Sequence, residues 1–162
     1  MCARGSNGAR LDANSTSLSD VSMKQSAIFW PMTAQVFLTL VVAVRMYQTR
    51  IAELRSRRLR PQELATSRGA ACLENVAAAD NFRNLFELPV LFFAICPILY
   101  ITNGVTPLQI TLAWAFVLFR IAHSLIHTTY NRVMHRFRAF VLGMLSVFLM
   151  WAVFAIHLWR DV

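Results

Sequence analysis

The chain has 162 residues, 57% of them hydrophobic, with a mean hydropathy of +0.49 and a formal net charge of +8. This composition excludes a disordered polar chain and suits a small integral membrane protein built as one bundle. Almost all of the basic excess is arginine set beside apolar stretches, with no groove-reading motif, so it reads as contact with anionic headgroups and control of topology, not as a nucleic-acid surface.

Residues 1–22 are rich in Ser, Asn, Gly and Ala and carry no helical or strand periodicity, so they read as a disordered tail ahead of one membrane domain over 23–162. Met23-Lys24 resembles an ordinary start directly before the first apolar stretch. That stretch, Ala27–Tyr47, is too long for a signal-peptide core and reads as a retained anchor, with Arg45 at its end. Tyr47–Leu59, rich in Arg, Glu and Leu, continues the first helix until Pro61 interrupts it. The Ala-rich Leu73–Phe86 is expected to be helical and to feed into the second stretch, Leu85–Ile101. Pro89 and Pro97 fall inside that stretch, and each removes a backbone hydrogen bond, so a kink beside Glu87 is expected.

Asn103-Gly104 is suited to end the second helix with a left-handed cap. Thr106 is then a good N-cap, Pro107 suits the first helical position, and Gln109 would complete a capping box. The third stretch, Leu108–His127, therefore forms a tight hairpin with the second, and Ala139–Trp159 makes the fourth. Each stretch is roughly 17 to 21 residues, enough to cross about 30 Å of hydrocarbon. The expected fold class is all-α, a four-helix transmembrane bundle.

Orientation follows from the arginines. The first loop carries Arg50, Arg55, Arg57, Arg58, Arg60 and Arg68, the third carries Arg132, Arg136 and Arg138, and the second, Thr102–Thr106, has no charge. The positive-inside rule puts loops one and three in the cytoplasm and both termini on the opposite side. Asn84 and Glu87 then lie in the first turn of the second span, and Arg120, His123 and His127 in the last turns of the third, all in one leaflet. Asp80, Asn84 and Glu87 are spaced by four and three; Arg120, His123, His127 and Tyr130 by three, four and three, so each set makes one stripe. Ionisable groups inside a membrane are costly and usually mark a working site. Facing stripes would hold an anionic, amine-bearing ligand; the bland alternative is a Glu87–Arg120 pair that only ties the bundle together.

His123 and His127 also form an HxxxH pair, which on a helix can bind metal or haem, but no third ligand accompanies it and Arg120 would repel a cation. No metal site is expected there. Cys2, Cys72 and Cys96 are far apart and indicate neither zinc nor a disulfide framework.

NFRNLFELPVLFF at Asn81–Phe93 and AWAFVLFRIAHSLIHTTYNRVMHR at Ala113–Arg136 resemble the MAPEG family, the membrane-associated proteins of eicosanoid and glutathione metabolism. The pairing of NxxE with RxxHxxxH carries the resemblance, which spans about residues 27–160. It implies a homotrimer that binds glutathione at subunit interfaces on the cytoplasmic side and acts on lipophilic small molecules from the membrane lipid. Asn84 and Glu87 match the family's glutathione-contacting Asn and Glu. Asp80 stands where those members usually have arginine, and His123 or His127 replaces a tyrosine. The thiolate-stabilising arginine is matched by Arg132 or Arg136. Arg45, Arg120, His123 and His127 complete the expected binding set. The pattern is closer to bacterial members, which implies a bacterial inner membrane. The resemblance points to a glutathione-dependent transferase or peroxidase; the alternative is a non-catalytic protein that binds lipid or a protein partner through the same pocket.

Overall fold

The computed structural model describes residues 25–57, 82–84, 86–129 and 132–160. The expected tail, the helix over Leu73–Phe86 for the most part, and Pro61, Asp80 and Tyr130 lie outside the described residues. Four helices dominate: α1 (Phe29–Arg57), α2 (Pro89–Ile101), α3 (Pro107–Thr128) and α4 (Val133–Arg160). No strand occurs among the described residues. Four segments are long and apolar enough to cross a membrane, Phe29–Ser56, Phe82–Ile101, Pro107–Thr128 and Val133–Arg160, so the chain is an all-α membrane bundle.

The 29 residues of α1 make about 44 Å of helix, which outruns a hydrocarbon core of about 30 Å. Its arginine-bearing end continues the helix beyond the apolar stretch, as the Leu, Glu and Arg of that segment predict. α2 has only 13 residues, or about 20 Å, and reaches across only with the helical turns that precede it from Phe82. The join is Leu88. Pro89 lies inside the second span, as expected, and the interruption falls just after Glu87: Pro89 occupies the first position of α2, where its missing N–H has no intrahelical role. The Leu91 amide donates to Leu88 O at 3.2 Å, a tighter turn than an α-helix makes. Pro97 is inside α2, as expected.

The α2–α3 hairpin closes with a Schellman arrangement. Asn103 takes φ 53°, and the amides of Gly104 and Asn103 donate to Leu99 O at 2.8 Å and Tyr100 O at 3.3 Å. The left-handed residue is thus the asparagine; Gly104 serves by being small, since a Cβ there would sit 3.3 Å from Leu99 Cδ2. Thr106 caps α3 by accepting from the Gln109 amide at 3.2 Å. The reciprocal half of the capping box does not form. The Gln109 side chain is buried and donates to Met150 O of α4 at 3.1 Å, so its amide serves packing between helices. Gln25, just before α1, clasps the hairpin: its amide oxygen accepts from Val105 N at 3.0 Å and its NH₂ donates to Val105 O at 3.4 Å.

α3 and α4 form the tightest pair. On α4 the buried residues are Ala139, Gly143, Ser146, Val147 and Met150, and the small ones, Ala139, Gly143 and Ser146, stand at four- and three-residue spacing that lets backbones approach. Phe92 of α2 stacks on Phe116 of α3 at 4.5 Å between centroids, and both are wholly buried. With Ile95, Leu99, Val117 and Met150 they form the core. Outward-facing Phe37, Leu40, Leu118 and Phe148 are exposed, as suits a surface against lipid chains.

Candidate functional site

Three residues expected to share one face of α3 do so, and that face is turned inward. Arg120 is 0% exposed and His123 and His127 each 3%. A stripe at positions i, i+3 and i+7 lies on one side of a helix, and here that side meets the small stripe of α4. Gly143 opposes Arg120: a Cβ on the glycine would lie 3.7 Å from Arg120 Cδ. The arginine stem thus packs against the backbone of α4 at Gly143.

The Arg120 guanidinium reaches across to the second span. Its Nη2 donates to the main-chain oxygen of Asn84, in the helical turn before α2. Cζ lies 5.8 Å from the ring centroid of Phe140, a cation–π distance. Nε and Nη1 have no hydrogen-bond partner among the described residues. The alternative of a Glu87–Arg120 pair that only ties the bundle together is not realised: Glu87 is exposed and makes no ion pair with Arg120. The second span is therefore joined to the third by the backbone of Asn84, with the Asn84 carboxamide outside this bond.

The two histidines converge on α4. His123 Nδ1 donates to Arg136 O at 3.2 Å, and Arg136 Nη1 donates to His127 Nε2 at 3.0 Å. The imidazole rings are 5.9 Å apart, and His123 lies 5.9 Å from Phe140. Arg136 is half-buried and belongs to this cluster, whereas Arg132 is exposed at the start of α4, where its carbonyl accepts from the Arg136 amide at 3.1 Å. Spacing left Arg132 and Arg136 equivalent; the geometry brings only Arg136 to the histidines. Arg45 is exposed on α1 and has no hydrogen bond to the cluster. No group of three or more His, Cys, Asp or Glu able to hold a metal occurs among the described residues, and Arg136 takes the Nε2 lone pair of His127.

Phe140 and Gly143 belong to the site and were not singled out from the sequence. A signal existed: Arg136, Phe140 and Gly143 are spaced by four and three, one stripe on α4 opposite the polar stripe of α3. Gln35 was passed over too. It is 0% exposed in α1, and neither side-chain polar atom has a partner among the described residues. Val36, Thr39, Leu40 and Ala43 of α1 and Phe82, Phe86 and Phe93 of the second span line an apolar groove of about 410 Å³, and Phe86 immediately precedes Glu87.

A carboxylate next to an apolar groove can hold the ammonium of an amphipathic ligand while its apolar part stays in the groove. A model described as MAPEG family matches residues 28–156 of the chain. No curated protein and no solved structure matches.

Proposed function

The chain belongs to the MAPEG family, and from that premise we propose that this membrane protein is a glutathione-dependent transferase or peroxidase acting on lipophilic electrophiles from the bilayer. The observation that carries the proposal is the half-buried Arg136 guanidinium held on His127 within a cluster that includes the buried Arg120. Glutathione brings two carboxylates, an ammonium and a thiol. The residues fit that set in kind: Glu87 is exposed for the amine, and exposed Arg45, Arg132 and Arg138 are suited to carboxylates.

When bound, glutathione supplies the thiol nucleophile. Arg136 provides the positive charge beside which a thiol loses its proton more readily. Arg120 and His123 play a supporting part: one fixes the backbone before α2, the other the backbone at the start of α4. The groove lined by Phe86 and Phe93 gives an apolar co-substrate a place beside Glu87. In this proposal the chain works as a homotrimer, in a bacterial inner membrane.

The purified protein in detergent is expected to bind glutathione. Glu87→Gln should weaken that binding by about 1 to 3 kcal/mol, the usual loss for a hydrogen bond to a charged group, and leave the assembly intact. No binding by the wild type at millimolar glutathione would reject the transferase reading. It would favour the second reading, a non-catalytic protein that holds lipid or a protein partner. The inward orientation of Arg120 and His123 is what speaks for that reading, since buried groups serve packing first.

The proposed topology has loops one and three in the cytoplasm and both termini opposite, because the arginine excess lies in those loops. A reporter fused after Val162 should be active outside the cytoplasm, and one inserted at Pro61 inside it. The reverse result would turn the cluster toward the other face.

A further inference from the structure

Arg136 is gripped at two points by two consecutive turns of α3. His123 Nδ1 holds its main-chain oxygen at 3.2 Å, and His127 Nε2 holds its Nη1 at 3.0 Å. The chemistry of the partners fixes the protons. A guanidinium only donates, so His127 Nε2 must accept; a carbonyl only accepts, so His123 Nδ1 must donate. His127 is then a neutral imidazole that carries its proton on Nδ1. An imidazolium has no lone pair and could not make the bond to Arg136.

We propose that His127 is a positioning residue for Arg136: a neutral, Nδ1-protonated imidazole that fixes the direction of the guanidinium before any ligand arrives. Its value to the site rests on the glutathione reading above. An arginine side chain loses much of its rotamer freedom when it is fixed. His127 is 3% exposed in the α3–α4 seam, so its own ring is held by packing and it can fix the arginine in turn. Charge that is aimed in advance stabilises a developing anion without reorganisation at that moment. A glutamine at 127 keeps an acceptor oxygen for the guanidinium; a phenylalanine keeps the ring and loses the acceptor.

The test uses the full chain in detergent, labelled with ¹⁵N-histidine, together with His127→Gln, His127→Phe and Arg136→Ala. Without ligand, the His127 resonances should show protonated Nδ1 and bare Nε2, and Arg136→Ala should shift Nε2. A protonated Nε2, or no response to Arg136→Ala, overturns the proposal. With glutathione, the ultraviolet absorbance of the thiolate is followed against pH. His127→Phe should raise the pH at which the bound thiol ionises by about one unit, the scale of a nearby charge. His127→Gln should restore it. Wild-type ionisation in His127→Phe, alongside a clear shift in Arg136→Ala, also overturns the proposal. If the wild type binds no glutathione, the transferase reading fails, and the ligand-free resonances still decide the role of His127.

Discussion

Arg120→Ala should be among the most damaging single substitutions in the chain, with a loss of about 3 kcal/mol of stability in detergent. The arginine is wholly buried, and its stem fills the space opposite Gly143. Truncation leaves a cavity, and large-to-alanine changes at such sites cost about 2 to 5 kcal/mol. It also strands the main-chain oxygen of Asn84, which loses its donor. The segment that carries Asn84 and Glu87 should then detach from α3, and any affinity that depends on Glu87 should fall with it. Arg120→Met separates the contributions. It restores much of the volume and removes a buried charge that has two nitrogens, Nε and Nη1, without partners among the described residues. Recovery of most of the loss would mean that packing dominates; failure to recover would mean that the bond to Asn84 does. An alanine variant that melts with the wild type would show that Arg120 holds nothing together.

Gly143→Leu is expected to be comparably harmful. At this position a Cβ would meet Phe119 Cβ at 3.6 Å, Arg120 Cδ at 3.7 Å and Phe116 Cδ2 at 4.0 Å, which is ordinary contact. Alanine should therefore be accepted, and should even stabilise by up to about 1 kcal/mol through helix propensity. Leucine must drive its branched end into the Arg120 stem and the Phe116 ring, and overpacking of this kind costs about 1 to 3 kcal/mol. It should also widen the α3–α4 seam enough to lengthen both histidine contacts to Arg136. Thermal melts of the two variants check this. Equal melting of the leucine and alanine forms would mean that the seam is loose.

Periodicity and length were enough to find the spans, the inward stripe of α3 and the hairpin caps, because each depends on local rules: rise per residue, spacing of three and four, and the φ tolerance of asparagine. What they could not supply was the identity of partners across helices. Glu87 stands opposite Arg120 in depth and charge, and the sequence offers it as the natural partner; the guanidinium goes instead to a main-chain oxygen, which no side-chain pattern reveals. Gln109 shows the same limit. Its distance from Thr106 fits a capping box, but burial sends its amide to Met150. Arg136 separated from Arg132 only when α3 and α4 were seen together. The proposed ligand contacts of Arg45, Glu87 and Arg132 concern exposed side chains, for which spacing says little about partners.

The clasp between Gln25 and Val105 joins positions 80 residues apart. A ribosome adds about 5 to 20 residues per second, so for roughly 4 to 16 seconds the first segment has been made and its fastening has not. During that interval α1 must be kept in place by its own hydrophobicity and by whatever insertion machinery holds it. The clasp becomes available when the α2–α3 turn emerges, which makes it a late closure that registers the arrival of the second half of the chain.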